Sequence, residues 1–117
     1  MDLSHLIISS IAGFPKVISA DEIDGAALKL GLSPSQLCDA FAKEVADGYL
    51  AGRYTWDEGD VAMNALWGYI SLSLMEHTPI PDYAFGVFLA FDAGEVIQEK
   101  SSDACTTELL RALHEKA

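Results

Sequence analysis

The residues best suited to catalysis are three histidines, and their spacing matches no known catalytic pattern. His5, His77 and His114 fall in three separate predicted segments. Glu76 and His77 lie near Asp82 and offer metal ligands, but zinc sites usually add cysteine or a second histidine at fixed spacing. The chain has no Gly-x-Ser-x-Gly, phosphate-binding glycine loop or His-Glu-x-x-His motif. We therefore expect neither an enzyme nor a metal or cofactor site; a pocket where histidine and carboxylate groups converge would favour an enzyme instead.

Carboxylates without basic neighbours are the most distinctive feature of the sequence. The segment 56–99 contains eight acidic residues and no lysine or arginine. Its last three carboxylates, Asp92, Glu95 and Glu99, follow i, i+3, i+7 spacing and so share one face of a predicted helix. The helix dipole disfavours negative charge in this C-terminal half. We therefore predict that these three residues contact a cationic partner, although an ordinary solvated face explains them equally well.

A second acidic group lies in the first turns of two predicted helices. The positive end of a helix dipole stabilises carboxylates there by roughly 0.3–1 kcal/mol each, so these residues need no further function. We take them as second-choice partner contacts: Asp57, Glu58, Asp60 and Asp82. Four aromatic residues flank the acidic segment, and each fits a core position better than an interface position: Tyr49, Tyr54, Trp56 and Tyr83.

Helix-start signals recur along the chain. In a capping box, a serine or threonine and a Glu or Gln three residues later accept each other's backbone N–H; such boxes begin at Ser19, Ser33 and Thr55. With proline and glycine as breaks, they predict helices over 3–14, 20–30, 34–49, 56–75, 82–98 and 102–115. No alternating strand of useful length occurs. We predict one all-α domain, residues 1–117, folded as a single compact bundle of five or six helices.

Two of the predicted helices are apolar nearly all round, which is typical of helices at the centre of a bundle. They begin near Trp56 and Asp82. The other helices should cover these two, and the final helix should turn Leu109, Leu110 and Leu113 inward.

Residues 20–47 resemble a helix-turn-helix, because Ala27, Gly31 and Leu37 fall at its small-residue, turn-glycine and buried-aliphatic positions. DNA-binding members of that family neutralise phosphates with lysine and arginine. Between Asp21 and Asp47 there are six acidic residues and two lysines, so this surface would repel a phosphate backbone. We expect a structural helix-turn-helix-like corner and no direct nucleic-acid binding. The functional alternative is a regulatory adaptor or nucleic-acid mimic that acts on a DNA-binding protein.

The composition fits a globular protein with a strongly negative surface. The 117 residues include seven basic and eighteen acidic ones, for a net charge of −11, and 50% are hydrophobic. The central uncharged run, 61–75, is shorter than the ~20 residues that a membrane-spanning helix needs. No basic residue precedes the N-terminal apolar stretch, so we expect no secretory signal and a cytoplasmic protein. The sequence leaves open whether Cys38 and Cys105 pair and whether the chain forms a homo-oligomer.

A net charge this far from zero speeds encounter with basic proteins and repels nucleic acids and anionic membranes. In size, acidity and lack of catalytic residues, the whole chain resembles the small acidic immunity proteins of bacterial toxin–immunity systems, such as contact-dependent inhibition and nuclease bacteriocins. The likeness is clearest at 56–64 (WDEGDVAMN) and 90–95 (AFDAGE). The resemblance implies a cytoplasmic inhibitor that neutralises a basic toxin, often a nuclease, by covering its nucleic-acid-binding surface. Immunity proteins share no residue-level motif, so the resemblance transfers no site.

Overall fold

Local sequence determines where the helices begin. The computed structural model describes residues 3–14, 17–76, 78–96 and 101–115, with the backbone alone at 95 and 96. The hydroxyls of Ser19, Ser33 and Thr55 each accept the N–H of the residue three positions on, whose side chain accepts the N–H of the cap in return. At Thr55 these two hydrogen bonds are 3.1 and 2.8 Å long. All three predicted capping boxes are confirmed.

Six α-helices and one 3₁₀ turn make up the described chain, and the predicted all-α bundle is confirmed. The helices are α1 (Leu3–Ala12), α2 (Ala20–Leu30), α3 (Pro34–Leu50), α4 (Trp56–Leu72), α5 (Asp82–Val96) and α6 (Ser102–Glu115), and the 3₁₀ turn is Leu74–Glu76. The described residues contain no strand. None of their helices is both long enough and apolar enough to cross a lipid bilayer.

Two helices end two or three residues earlier than the sequence predicts, and α3 ends one residue later, at Leu50. α1 stops at Ala12 rather than residue 14, and α4 stops at Leu72 rather than residue 75. After α4 the backbone leaves the helical region at Ser73 and tightens into the 3₁₀ turn, which is a common way for a helix to end. The predicted end of α5 near residue 98 lies outside the described residues.

α2 and α3 form the helix-turn-helix-like corner. Gly31 adopts a left-handed conformation (φ +68°), which glycine accepts without steric cost, and its N–H bonds back to α2. Ala27 and Leu37 are buried on either side of the turn. The residue pattern therefore predicted the local geometry of this corner correctly.

The core lies where α5 meets its neighbours. α5 packs against α3, α4 and α6, which is the central position predicted for it. Phe41 of α3, Leu66 of α4 and Phe91 of α5 are almost wholly buried there. Burial of such side chains is the main stabilising term of the fold.

The outer helix α6 buries less of its apolar surface than the sequence suggests. Leu110 is buried and Leu113 packs against the core. Leu109, which was expected to turn inward, is 40% exposed. The prediction for Leu109 was wrong because α6 packs chiefly against a single helix, α5, and Leu109 lies at the edge of that contact.

The two cysteines do not form a disulfide. Cys38 and Cys105 are both buried free thiols. Burial, with a smaller contribution from the neighbouring Asp39 carboxylate, raises the pKa of Cys38 to about 12. The Cys38 thiol therefore stays protonated at neutral pH and behaves as a small apolar residue.

Candidate partner-binding surface

α4 and α5 run antiparallel in close contact. Near the start of α4, Gly59 lies directly against Phe91 in the second half of α5, where a Cβ on the glycine would be 2.6 Å from the phenyl ring. Further along α4, the Trp67 ring stacks on Phe88, with ring centroids 4.8 Å apart and an interplanar angle of 15°. The absence of a side chain at Gly59 thus brings the beginning of one helix onto the end of the other.

This pairing brings carboxylates of both helices to the same end of the molecule. Asp60 precedes Trp67 by seven residues and therefore lies on the same face of α4 as that ring. Asp92 follows Phe88 by four residues and likewise lies on the same face of α5 as Phe88. Because the helices are antiparallel, the N-terminal end of α4 lies beside the C-terminal end of α5. Asp60 and Asp92 therefore lie on the same side of the stacked rings. Exposed Asp57 lies one turn before Asp60. We call the face that Asp57, Asp60 and Asp92 form the acidic seam.

The other residues predicted to contact a partner either lie outside the acidic seam or have side chains that the structure does not describe. Glu58 points into its own helix start, where its carboxylate accepts the Thr55 N–H at 2.8 Å, so its role is structural. Exposed Asp82 begins α5 and therefore lies at the opposite end of that helix from Asp92. Glu95 is part of α5, but its side chain is not described, and Glu99 lies outside the described residues.

The structure adds an aromatic surface that sequence reasoning missed. Trp67 stacks not only on Phe88 but also on Phe85, with centroids 5.4 Å apart and an interplanar angle of 28°. All three rings are half-buried, whereas their apolar helices had suggested core positions. The sequence does contain a signal for these rings. Trp67 recurs at helical spacing from Asp60, and Phe85 and Phe88 recur at helical spacing from Asp92, so each ring lies on the same helix face as a carboxylate. We call these three rings the aromatic stack.

Two aromatic residues that flank the acidic segment are held inside the bundle instead. The Trp56 indole N–H donates to Thr106 Oγ1 at 2.8 Å, and that hydroxyl donates to the Ala90 carbonyl at 2.8 Å. The Tyr49 hydroxyl donates to Asp103 Oδ1 at 2.6 Å. Burial, together with this bond, raises the pKa of Tyr49 to about 12. These bonds attach α6 to the rest of the bundle and hold the buried Tyr49 and the half-buried Trp56 in internal contacts.

A separate groove of about 460 Å³ brings one histidine and one carboxylate together. Its lining includes Asp39, Lys43, Tyr83 and His114. Asp39 Oδ1 accepts the Ala84 N–H at 2.9 Å and so caps the start of α5. The Tyr83 hydroxyl and His114 Nε2 are 2.7 Å apart, and their rings stack. Asp39, Tyr83 and His114 thus make contacts within the chain, and Lys43 pairs with Asp47 at 3.0 Å.

The described residues contain no group of three or more histidine, cysteine or carboxylate side chains that could hold a metal ion. His77, one of the possible metal ligands named from the sequence, lies outside the described residues. No protein-family model matches the chain, and comparisons with curated proteins and with solved structures give no match.

Proposed function

We propose that this chain is a protein-binding inhibitor of the immunity type, which neutralises a basic toxin through the acidic seam. The observation that carries the proposal is that α4 and α5, which pack side by side, contain no lysine or arginine. Every full charge that these two helices present is therefore a carboxylate. A cytoplasmic toxin domain that binds nucleic acid, often a nuclease, offers the complementary basic surface.

The position of Asp92 supports an external role for the seam. It lies in the C-terminal half of α5, where the helix dipole opposes a carboxylate rather than stabilising it. In the described part of the chain, no basic side chain pairs with it. No described basic side chain neutralises this carboxylate, whereas a lysine or arginine of a partner would do so.

The aromatic stack gives the same surface an apolar component. Protein interfaces are enriched in aromatic residues, and charges around them orient the partners and speed association. Trp67, Phe85 and Phe88 retain accessible ring surface beside the seam. The net charge of −11 opposes binding to nucleic acids and anionic membranes, so we propose neither as a direct partner.

The test compares two pairs of charge reversals that change the net charge equally. Asp92→Lys with Glu95→Lys reverses two acidic residues of α5, the first of them in the seam, and Asp21→Lys with Asp24→Lys alters exposed positions on α2. Tagged wild-type chain is used to capture its partner from the source cell, and the partner is identified by mass spectrometry and purified. We expect the α5 pair to slow association by about tenfold or more, and the α2 pair to slow it by less than about twofold. The captured protein should contain a basic toxin domain whose toxicity the wild-type chain relieves.

Three results would contradict the proposal. Equal slowing by both pairs would mean that total charge, and not the seam, governs association. A captured protein without a basic domain would remove the proposed partner. A DNA-binding regulator that is released by the α2 pair and retained by the α5 pair would favour the alternative function, an adaptor or nucleic-acid mimic built on the helix-turn-helix-like corner.

A further inference from the structure

An apolar groove runs between α5 and α6. It has a volume of about 540 Å³. Leu89 and Leu109 form its walls, and they are 44% and 40% exposed. Apart from Asp92, small residues and one packed leucine make up the rest of the lining: Gly86, Ala90, Ala93, Ala112 and Leu113. Exposed aliphatic side chains gathered in one groove are typical of a surface that receives apolar groups of another molecule.

Contacts near both ends of the groove fix the separation of α5 and α6. A Cβ at Gly86 would lie 3.1 Å from the methyl carbons of Leu113, so the glycine lets α6 approach α5 closely at one end. At the other end, the Ser102 hydroxyl donates to the Gly94 carbonyl at 2.9 Å. The groove therefore exists before any ligand arrives, which lowers the entropic cost of binding.

Carboxylates lie at both ends of the groove. Asp92 is the one charged side chain among the described residues that line it. Asp82 precedes Leu89 by seven residues, so this exposed carboxylate lies on the same face of α5 near the opposite end. The two carboxylates are ten residues apart, or about 15 Å along the helix axis.

We propose that the groove binds an amphipathic helix of the basic partner. Aliphatic side chains of that helix would lie between Leu89 and Leu109, and a lysine or arginine near each end would pair with Asp82 and Asp92. A separation of about 15 Å corresponds to about ten residues of a partner helix, so the cationic residues should recur at that interval. This inference rests on the proposed function, because it names the segment by which a basic partner is held.

The test uses a fluorescein-labelled peptide of about 14 residues, with leucines three and four residues apart and lysines about ten residues apart. A scrambled peptide of the same composition has the same charge but no apolar face. Fluorescence anisotropy with the full chain measures both affinities. We expect the amphipathic peptide to bind at least about tenfold more tightly than the scrambled one.

Two matched pairs of leucine substitutions locate the binding site. Leu89→Gln with Leu109→Gln should weaken binding of the amphipathic peptide by about tenfold or more. Leu28→Gln with Leu72→Gln replaces exposed leucines outside the groove and should change the affinity by less than about twofold. All four side chains are exposed, so circular dichroism and thermal unfolding should show the same fold in both variants.

Several outcomes would overturn the inference. Equal affinity for the two peptides, or equal losses in the two leucine pairs, would show that the groove does not select an amphipathic helix. A wild-type dimer that becomes monomeric on substitution of Leu89 and Leu109 would assign the groove to a second copy of the chain. If the captured basic partner is released by the Asp92 and Glu95 reversals but retained after the groove substitutions, the groove inference fails while the proposed function stands. If neither variant releases that partner, both fail.

Discussion

Carboxylates on α3 and carboxylates on the acidic seam serve the folded chain differently. On α3, Asp39 caps the start of α5, Asp47 pairs with Lys43 at 3.0 Å, and Glu44 lies 3.9 Å from Arg53. On α5, Asp92 pairs with no basic side chain of the described residues. The α3 carboxylates stabilise contacts within the chain, whereas Asp92 adds negative charge at a position that opposes it.

This difference shows that net charge alone does not locate a binding surface. A carboxylate that pairs with lysine is partly neutralised, and one that accepts a backbone N–H keeps its charge but is held in place by the fold, although both count fully in the sequence total. The seam draws its charge from two helices that lack basic residues, so no lysine or arginine of the same two helices offsets it. The informative quantity is therefore how much of the acidity remains unneutralised after folding.

The largest expected effect comes from Phe91→Ala, which removes the side chain that holds the two seam helices together. Phe91 is almost wholly buried, lies against Gly59 and makes an edge-to-face contact with Tyr49. We expect a loss of about 3–5 kcal/mol in the free energy of unfolding, measured with urea. Phe14→Ala, at an exposed ring, should change it by less than about 0.5 kcal/mol. A similar small change for Phe91→Ala would mean that the described seam packing is absent in solution.

A smaller loss is expected for Asp39→Ala, which tests the structural role of the α3 carboxylates. The substitution leaves the Ala84 N–H without its acceptor at the start of α5. We expect a destabilisation of about 1 kcal/mol in urea unfolding. Asp39→Asn keeps a carbonyl oxygen in the same place and should recover much of this loss.

Asp92→Ala should have the opposite effect to Asp39→Ala on the free energy of unfolding. Removing a carboxylate from the C-terminal half of α5 relieves its unfavourable interaction with the helix dipole. We expect the free energy of unfolding to stay constant or to rise by a few tenths of a kcal/mol. A destabilisation equal to that of Asp39→Ala would show that Asp92 has an internal partner, and the distinction between the two regions would disappear.

The smallest expected effect concerns the pKa of Tyr83, to which the α3 carboxylates contribute, and the resulting pH dependence of the free energy of unfolding. Burial, and then the charges of Asp47 and Asp39, raise the pKa of Tyr83 to about 12 from an ordinary value of 10.0. The folded protein thus keeps a proton that the unfolded chain loses above pH 10, so the free energy of unfolding should fall as pH rises from 10 towards 12. An NMR titration that resolves the Tyr83 ring should show Asp39→Asn lowering the pKa of Tyr83 slightly and Asp92→Asn leaving it unchanged. Equal pKa shifts of Tyr83 in both variants would contradict a specific effect of the Asp39 charge on Tyr83.

Much of the fold could be predicted because its signals are local. Capping at Ser19, Ser33 and Thr55 involves residues three positions apart, and Gly31 determines the turn between α2 and α3 by its own backbone conformation. The position of Leu109 could not be predicted in the same way, because helical spacing says which residues share a face but not how many helices cover that face.

The sequence by itself determined the helices, their starting points and the absence of basic residues from α4 and α5, because composition and short-range backbone hydrogen bonding require no tertiary contact. Tertiary structure alone decided that α4 and α5 meet antiparallel, with Gly59 against Phe91. That packing brings Asp60 and Asp92 to one end, although they are far apart in sequence, and leaves Trp67 half-buried beside them. Tertiary structure also decided which carboxylates have a partner within the chain. Asp39 of α3, for example, accepts the Ala84 N–H of a different helix, α5.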